Sequence, residues 1–420
     1  MKPVYIVSWL FALAISFVSC DDWLDKTPKD RLYPDVYFKT EDELRLFTNQ
    51  FYNNLVPSAV DIYSESSDLI VKSDLMLEMS GQRIIPDEGN GWNFTALRDI
   101  NFYLQYSHNC TEVNARNRYD GVARFFRAYF YFEKVKRYGD IPWYDKALDS
   151  DDPELYKARD SREFVMQKML EDLDFAIANL PKTKNAYVLT RWTALALKSR
   201  VCLFEGTFRK YHGLEDCEKY LNACVSASET FMNESGYTLY KSGSTPYRDL
   251  FASINLQADE VIFGRDYEAS LSVLHNVQNY ENSTTMGRPG MNKKIVNSYL
   301  MADGSRFTDK AGYETMTFDQ ECQNRDPRLA QTIRTPGYTR IGSTKKEAPN
   351  LAYTMTGYHL IKYSMTANYD EYNKSCNDIP LFRTAEVYLN FAEAKAELGT
   401  LKQADINKSI KLLSCLLYTS

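Results

Sequence analysis

Between residues 124 and 144 the chain reads RFFRAYFYFEKVKRYGDIPWY, nine aromatic residues and five lysines or arginines in one short run. At about 100° per residue, Phe132, Phe125, Tyr129, Val122, Phe126 and Phe130 fall on one arc of about 160°, and Tyr138, Tyr131 and Val135 form a second arc opposite. A helix with one apolar stripe lies at a surface. One with two must be sandwiched between neighbours, as in a stacked helical array. The cations form no stripe of their own: Arg124 and Arg127 lie beside the second arc, and Glu133 sits among Lys134, Lys136 and Arg137. The run is therefore a scaffold helix from about Asn117 to Tyr138, not a basic grip for an anionic polymer. Gly139 ends it, with a basic last turn facing the negative end of the helix dipole.

Other segments share the helical period. TEDELRLFTNQFYNNL offers Thr40 as a cap, acids in the first turn, and Leu44, Phe47, Phe51 and Leu55 on one face. Helices are also expected at NFTALRDINFYLQYSHN, at 161–181, 190–208 and 214–232, and at 383–399. The 190–208 segment is rich in small residues (Ala194, Ala196, Ser199, Cys202, Gly206), which let another helix approach closely. Helix pairs with alanine at contact positions match degenerate tetratricopeptide repeats without a strict 34-residue period. Residues 58–92 read as loops. From 233 to 382, Gly, Asn, Ser, Thr and Tyr dominate, with strand-like pieces such as EVIFGRDY and GYHLIKYS. Irregular segments on a rigid scaffold are where binding groups tend to sit. The fold class is mainly α: a tetratricopeptide-like scaffold with a loop-rich insertion containing a few short strands.

The formal net charge of −6 leaves no excess of cations for a phosphate backbone, so no nucleic-acid partner is expected. At the N-terminus, Lys2 precedes an apolar run from Val4 to Val18, too short to span a bilayer and suited to a signal peptide. SFVSC then sets the small Ser19 before Cys20, as a lipoprotein signal does, and CDDWLDKTP turns polar at once. Lipidation of Cys20 would hold the protein on a membrane. The remaining cysteines, at 110, 202, 217, 224, 322, 376 and 415, form no CxxC and an odd set, and read as scattered small apolar residues.

Catalytic chemistry finds no purchase. His108, His212, His275 and His359 are isolated, and no H-E-x-x-H, G-x-S-x-G, G-x-G-x-x-G or P-loop spacing occurs. No cofactor or metal site is expected: in DSDDPEL, Pro153 stands where a calcium loop wants glycine, so a solvated acidic turn is expected. In DPRL, Asp326 can cap and Pro327 can start a helical turn.

Taken in order, the cysteine-terminated leader into CDDWLDKTPKD, ARFFRAYFYFEKVKRYGDIPWY, LTRWTALALKSRVCLFEG, RDLF with DEVIFGRDY, GRPGMNKKIVNSYLMADGSRF, NRDPRL and IPLFRTAEVYLNFAEAKAELG resemble the SusD/RagB family of Bacteroidetes outer-membrane lipoproteins. The resemblance covers nearly the whole chain. It implies a signal peptide at 1–19, a lipidated tether at 20–39, a scaffold at 40–232 with ligand-facing loops near 58–95, the insertion at 233–382 and C-terminal scaffold helices at 383–420. The family pattern fades after about Leu413, where further helices usually follow, so the C-terminal part is expected to be truncated. The implied role is non-catalytic. Such proteins sit on the outer face of the outer membrane and cap a SusC-like TonB-dependent transporter, binding oligosaccharide or polysaccharide, or in some members peptides, for import.

Sugars ask for flat aromatic faces against the apolar side of pyranose rings, with amide and guanidinium groups for the hydroxyls. In PDEGNGWNF, Trp92 and Asn93 follow a Gly-rich loop, where the family often presents a ligand-stacking aromatic and an amide; Arg83 in the preceding loop is a further hydroxyl donor. A second candidate cluster joins Tyr280, Asn282 and Arg288 of NYENSTTMGRPG to Tyr267 in the loop-rich half.

Overall fold

The computed structural model describes residues 37–63, 67–86, 89 and 91–415. The expected signal peptide, Cys20 and the tether up to residue 36 lie outside the described residues. The scaffold is built from α1 (Glu41–Leu55), α2 (Thr95–Tyr106), α3 (Val113–Tyr138), α4 (Arg162–Asn179), α5 (Arg191–Tyr211) and α6 (Cys217–Glu234). The next stretch holds a seven-residue helix at Pro246–Ala252, α7 (Val277–Asn282), α8 (Lys293–Ser298) and short single turns, and α9 (Thr384–Glu397) returns to the scaffold. α3 packs on α1, α2 and α4; α5 packs on α4 and α6, and α9 closes against both α5 and α6. Among the described helices, none is long and apolar enough to cross a membrane.

The two-faced reading of the aromatic run holds. On one side Phe126 meets Phe51 and Tyr52 of α1 edge-on at 6.1 and 5.0 Å, and Phe132 meets Phe204 of α5 at 5.5 Å. On the other, Tyr131 stacks on Trp143 at 4.3 Å, and its hydroxyl accepts a hydrogen bond from the Tyr144 amide at 2.6 Å. The helix begins at Val113, earlier than the apolar pattern alone suggests. α1 starts as expected: Thr40 accepts from the Glu43 amide, while the Glu43 carboxylate accepts from the Thr40 amide at 3.0 Å.

Small residues do bring α5 and α6 together. A Cβ added at Gly206 would lie 2.7 Å from Cγ of Leu221, a residue almost fully buried. The expected strands are only partly present. β2 (Val261–Arg265) forms as expected, but its antiparallel partner is β4 (Ile379–Arg383), at the edge of α9. GYHLIKYS forms only isolated bridges, Gly290 with His359 and Ile333 with Leu360; its Ile361 amide goes to the Thr332 carbonyl and its Tyr363 amide to the Glu281 carboxylate, while those of His359 and Ser364 bond locally. β1 (Ile70–Val71) and β3 (Gly290–Met291) pair across the molecule, tying the 58–92 region to the insertion.

With few long elements, the insertion must satisfy its buried backbone groups from side chains. Every residue of α7 is buried. The Glu281 carboxylate accepts from the Ser364 hydroxyl at 2.7 Å and the Tyr363 amide at 3.1 Å. Gln278 Nε2 donates to the Thr366 carbonyl at 2.7 Å and Oε1 accepts from the Met365 amide at 2.8 Å. His359 Nε2 lies 2.8 Å from the Glu281 carbonyl and Nδ1 accepts from the Asn350 amide at 3.1 Å, the pattern of a neutral ring. His275 repeats it, between the Asn377 carbonyl and the Val277 amide. Burial pushes Glu281 up to about 7, and pushes His275 and His359 down to about 4 and about 3.

Two measurements test this architecture. Gly206→Ala gains helix propensity of about 1 kcal/mol but overpacks against Leu221, and should be net destabilising by about 1–2 kcal/mol in chemical denaturation; an unchanged or raised midpoint would mean that the helices separate freely. For Glu281 the sign follows from linkage: between its unfolded value near 4.5 and about 7 the folded state holds a proton that the unfolded chain has lost, so stability falls as pH rises through that window. The buried histidines oppose this, losing stability as pH falls below 6.5, but they are common to wild type and Glu281→Gln. The stability of Glu281→Gln relative to wild type should therefore improve by roughly 2–3 kcal/mol from pH 5 to pH 8. A difference independent of pH would show that Glu281 titrates as a solvated acid.

Candidate functional site

The Trp92 loop is shaped by a tight turn: the Trp92 amide donates to the Gly89 carbonyl and the Asn93 amide to the Gly91 carbonyl, each at 2.9 Å. Gly91 has φ +81°, a conformation that favours glycine, and it packs close to Tyr138, whose hydroxyl would lie 3.4 Å from an added Cβ. The turn sets Trp92 edge-on against Tyr138 of α3 at 4.9 Å and Phe94 at 5.3 Å. The indole nevertheless stays 40% exposed, unlike the buried Trp143 and Trp192. The exposed Arg159 holds its guanidinium 4.9 Å from the Trp92 ring centroid. Asn93 Oδ1 accepts from the Thr95 amide at 2.8 Å at the start of α2, leaving its amide NH2 as a donor. Arg83 pairs with Glu78 at 3.5 Å on a half-exposed surface, and no described hydrogen bond ties it to the Trp92 loop.

The loop continues into a groove of about 600 Å³ between the end of α1, the segment 56–61, α3 and the end of β2. Lys134 joins the two: it lines the groove, donates to the Gly91 carbonyl, and lies over the Phe130 ring at 4.9 Å. Phe130, Lys134 and Tyr138 are four residues apart on α3, so one ridge of that helix supports both the loop and the groove. Burial, then the neighbouring Arg137, holds the Lys134 amine below its ordinary value. The other polar groups balance. Asn53 and Asn54 present exposed amides, Asp61 accepts from the Ser58 amide at 2.7 Å, Glu133 pairs with Lys136 at 2.6 Å, and Arg265 donates to the Val56 carbonyl at 2.8 Å. An exposed indole, a guanidinium and amides beside a charge-balanced groove suit a neutral ligand carrying many hydroxyls. Arg159, Asn53 and Asn54 were not visible as site residues: Asn53 and Asn54 read as an ordinary helix end, and Arg159 lies far from Trp92 in the chain.

The second expected cluster is differently placed. Tyr267, Tyr280 and Asn282 are buried. The Tyr267 hydroxyl accepts from the Ala59 amide at 2.8 Å, and Tyr280 packs 6.0 Å from Tyr63. Asn282 Oδ1 accepts from Arg334 at 2.7 Å and Arg340 at 3.1 Å, and Arg288 donates to the Ala352 and Leu351 carbonyls at 2.9 and 2.7 Å. NYENSTTMGRPG is thus half buried helix and half buttressed turn, and the structure engages these residues internally where the sequence suggested an open loop.

His108 and His212 are engaged with the Gln105 and Phe208 carbonyls at 2.9 and 2.7 Å. Among the described residues no group of three or more His, Cys, Asp or Glu could hold a metal ion. The acidic turn forms as a single 3-10 turn with Asp152 capping Glu154 and Lys146 3.0 Å from the Glu154 carboxylate. Asp326 caps its short helix as expected, accepting from the Arg328 amide at 2.9 Å.

Two family models match the chain: one described as the SusD family over residues 250–413, and one described as starch-binding associating with outer membrane over residues 82–191, the span that contains Trp92. A SusD-like protein P2 of Formosa agariphila is 25% identical over 416 residues, covering 92% of this chain and 76% of that protein. A second relative from the same organism, SusD-like protein P38, is 25% identical over 226 residues, 49% of this chain and 43% of that protein. Among solved structures, a SusD-like protein from Bacteroides fragilis superposes with a TM-score of 0.73 at 21% identity, covering 94% of this chain and 82% of that one. A SusD-like carbohydrate binding protein from the same species gives 0.71 at 18% identity, with 91% and 80% covered. These likenesses establish the fold.

A site aromatic and a core aromatic should respond differently to truncation. Trp92→Ala should lower stability by less than about 1.5 kcal/mol, against about 3–5 kcal/mol for Trp143→Ala. Equal losses by urea denaturation would make Trp92 a core residue.

Proposed function

This chain belongs to the SusD/RagB family, and from that premise we propose that it is a non-catalytic, cell-surface glycan-binding lipoprotein of the outer membrane. In this reading Cys20 carries the lipid anchor. The protein serves as lid and partner of a SusC-like TonB-dependent transporter, handing it oligosaccharide in nutrient uptake. The observation that carries the reading is Trp92: a large indole set by a glycine turn and still 40% exposed, with the Arg159 guanidinium over its ring, Asn93 beside it and a groove running from its loop along α3. Binding needs no reacting group, and the site supplies what a sugar requires: an apolar plate for one ring and hydrogen-bond donors and acceptors for its edges. The match to a family model described as starch-binding, and the fold shared with a protein described as carbohydrate binding, support the same class of ligand.

Native affinity electrophoresis of the soluble form beginning after Cys20, run through gels containing different polysaccharides, tests the proposal. At least one neutral polysaccharide should retard the wild type. Trp92→Ala should weaken that retention about tenfold or more, roughly the loss of one good aromatic contact. No retention on any polysaccharide together with measurable binding of peptides would replace the glycan reading with a peptide-binding one.

A further inference from the structure

A second concave surface lies in the insertion, built on α8 and the turns that follow it. Its larger part is a cavity of about 650 Å³ lined by Lys294, Asn297, Arg306, Thr308 and Tyr313 among others, with no carboxylate in its lining. It shares Ser298 and Leu300 with an adjoining pocket of about 270 Å³ containing Tyr247, Tyr299 and the Asp326–Arg328 pair. We propose that this trough is a second glycan site, selective for a sugar bearing an anionic group, carboxylate or sulfate, and this rests on the glycan-binding reading above.

Four observations carry it. First, the cations are uncommitted: among the described residues neither Lys294 nor Arg306 makes an ion pair or a side-chain hydrogen bond, whereas Arg328 is satisfied by Asp326 at 2.6 Å. Second, Asn297 and Thr308 in the lining add neutral hydrogen-bonding side chains beside the two cations, where a sugar hydroxyl can be met. Third, the floor is fixed. Arg325, buried beneath, donates to the carbonyls of Val296 at 2.6 Å, Tyr299 at 2.9 Å and Glu321 at 2.7 Å, and its guanidinium lies 3.8 Å from the centroid of the buried Phe307 ring. Tyr313 leans edge-on against that same ring at 5.7 Å and provides an aromatic face at the cavity wall. A preformed cavity of this size falls in the ordinary range for small ligands. Fourth, the adjoining pocket is electropositive. Burial alone would raise the Tyr247 phenol, but Lys362, then Arg383 and Arg328, outweigh it and hold the phenol below its usual value.

The two surfaces differ in charge, and this decides the ligand class. The groove beside Trp92 balances its cations with Asp61 and Glu133, while the trough leaves two cations open. A net charge of −6 for the whole chain makes a long polyanion an unfavourable partner, so the trough suits a single charged sugar within a chain, not a nucleic acid. The pyranose would lie against Tyr313, with its carboxylate or sulfate between Lys294 and Arg306.

Calorimetric titration of the full chain separates the possibilities, using maltotriose as the neutral probe, a galacturonic acid trisaccharide as the carboxylate and a sulfated galactose disaccharide as the sulfate. One of the charged sugars should bind in a salt-sensitive manner. The Lys294→Ala/Arg306→Ala double variant should weaken it about tenfold or more while leaving thermal unfolding and any neutral-sugar binding unchanged. Trp92→Ala should leave that charged-sugar binding intact. The trough assignment is overturned if the double variant binds the charged sugars like wild type, or if inorganic sulfate competes as strongly as the sulfated sugar binds. Neutral binding lost on Trp92→Ala would then still stand. Failure of both charged sugars in the wild type would remove the trough assignment, while the glycan reading itself is decided separately by the polysaccharide gels.

Discussion

The scaffold depends on one buried ion pair. α3 is apolar on two faces, so hydrophobic burial alone leaves its rotation and register loosely specified. Arg127 fixes both: its guanidinium grips Asp172 of α4 through two bonds of 2.6 and 2.8 Å, donates to Asn101 of α2 at 3.2 Å, and lies 5.1 Å from the Trp143 ring centroid. Asn101 passes the constraint on, donating to the Tyr144 carbonyl at 2.8 Å. Three elements are thus locked by one side chain that is 7% exposed. Desolvating such a pair offsets much of its Coulomb attraction, so its contribution lies less in net stability than in rejecting alternative registers. Removing Asp172 would leave the Arg127 guanidinium as an unpaired buried charge, about 3–5 kcal/mol of penalty, whereas without Arg127 the Asp172 carboxylate would still have Arg124 at 3.6 Å.

That register is what brings the functional surface into being. The middle turns of α3 are enclosed by α1, α4 and α5, but its last turns emerge, and the ridge Phe130, Lys134, Tyr138 becomes the support for the Trp92 loop. An indole held this way does not have to be ordered when a ligand arrives, which keeps the entropic cost of binding low. The insertion achieves rigidity by different means. It has little helical or sheet repetition, so buried side chains such as Gln278, Glu281, Asn282 and Arg340 bond the backbone and one another in place of secondary structure. A scaffold locked by packing and an insertion locked by polar networks can each carry a preformed surface.

The difference between the two halves explains what the sequence could and could not tell. Helices of the scaffold were legible because burial imposes a period: Leu44 and Phe51, or Phe125, Tyr129 and Phe132, recur at helical spacing whichever neighbour they meet. Thr40 and Asp326 were legible because capping is local chemistry within four residues. Trp92 stood out because a glycine-rich loop precedes it. Tyr267, Tyr280, Asn282 and Arg288 looked alike as candidates for the opposite reason: a polar, aromatic, glycine-containing loop has the same composition whether it faces a ligand or folds inward. Their partners are distant in the chain, Arg334 and Arg340 for Asn282, Ala59 for Tyr267, and no periodicity reports such pairings. Arg159 escaped by the same logic, since only the fold brings it to Trp92.

Charge placement gives the functional reading its remaining step. Fields from exposed charges decay within about 8 Å at physiological ionic strength, so the overall charge of −6 disfavours a long polyanion but does not distinguish one surface from the other. The local inventory does. Around the groove every cation has an acceptor or a nearby acid, and selectivity there must come from shape and hydrogen bonding, which tolerate many neutral sugars. Around the trough two cations remain without an acid partner, and a ligand group that fails to neutralise them gains nothing from desolvating the cavity. In the proposed reading one surface serves general capture and the other discrimination, a division that follows from which cations have a carboxylate beside them, as Arg328 has Asp326, and which do not.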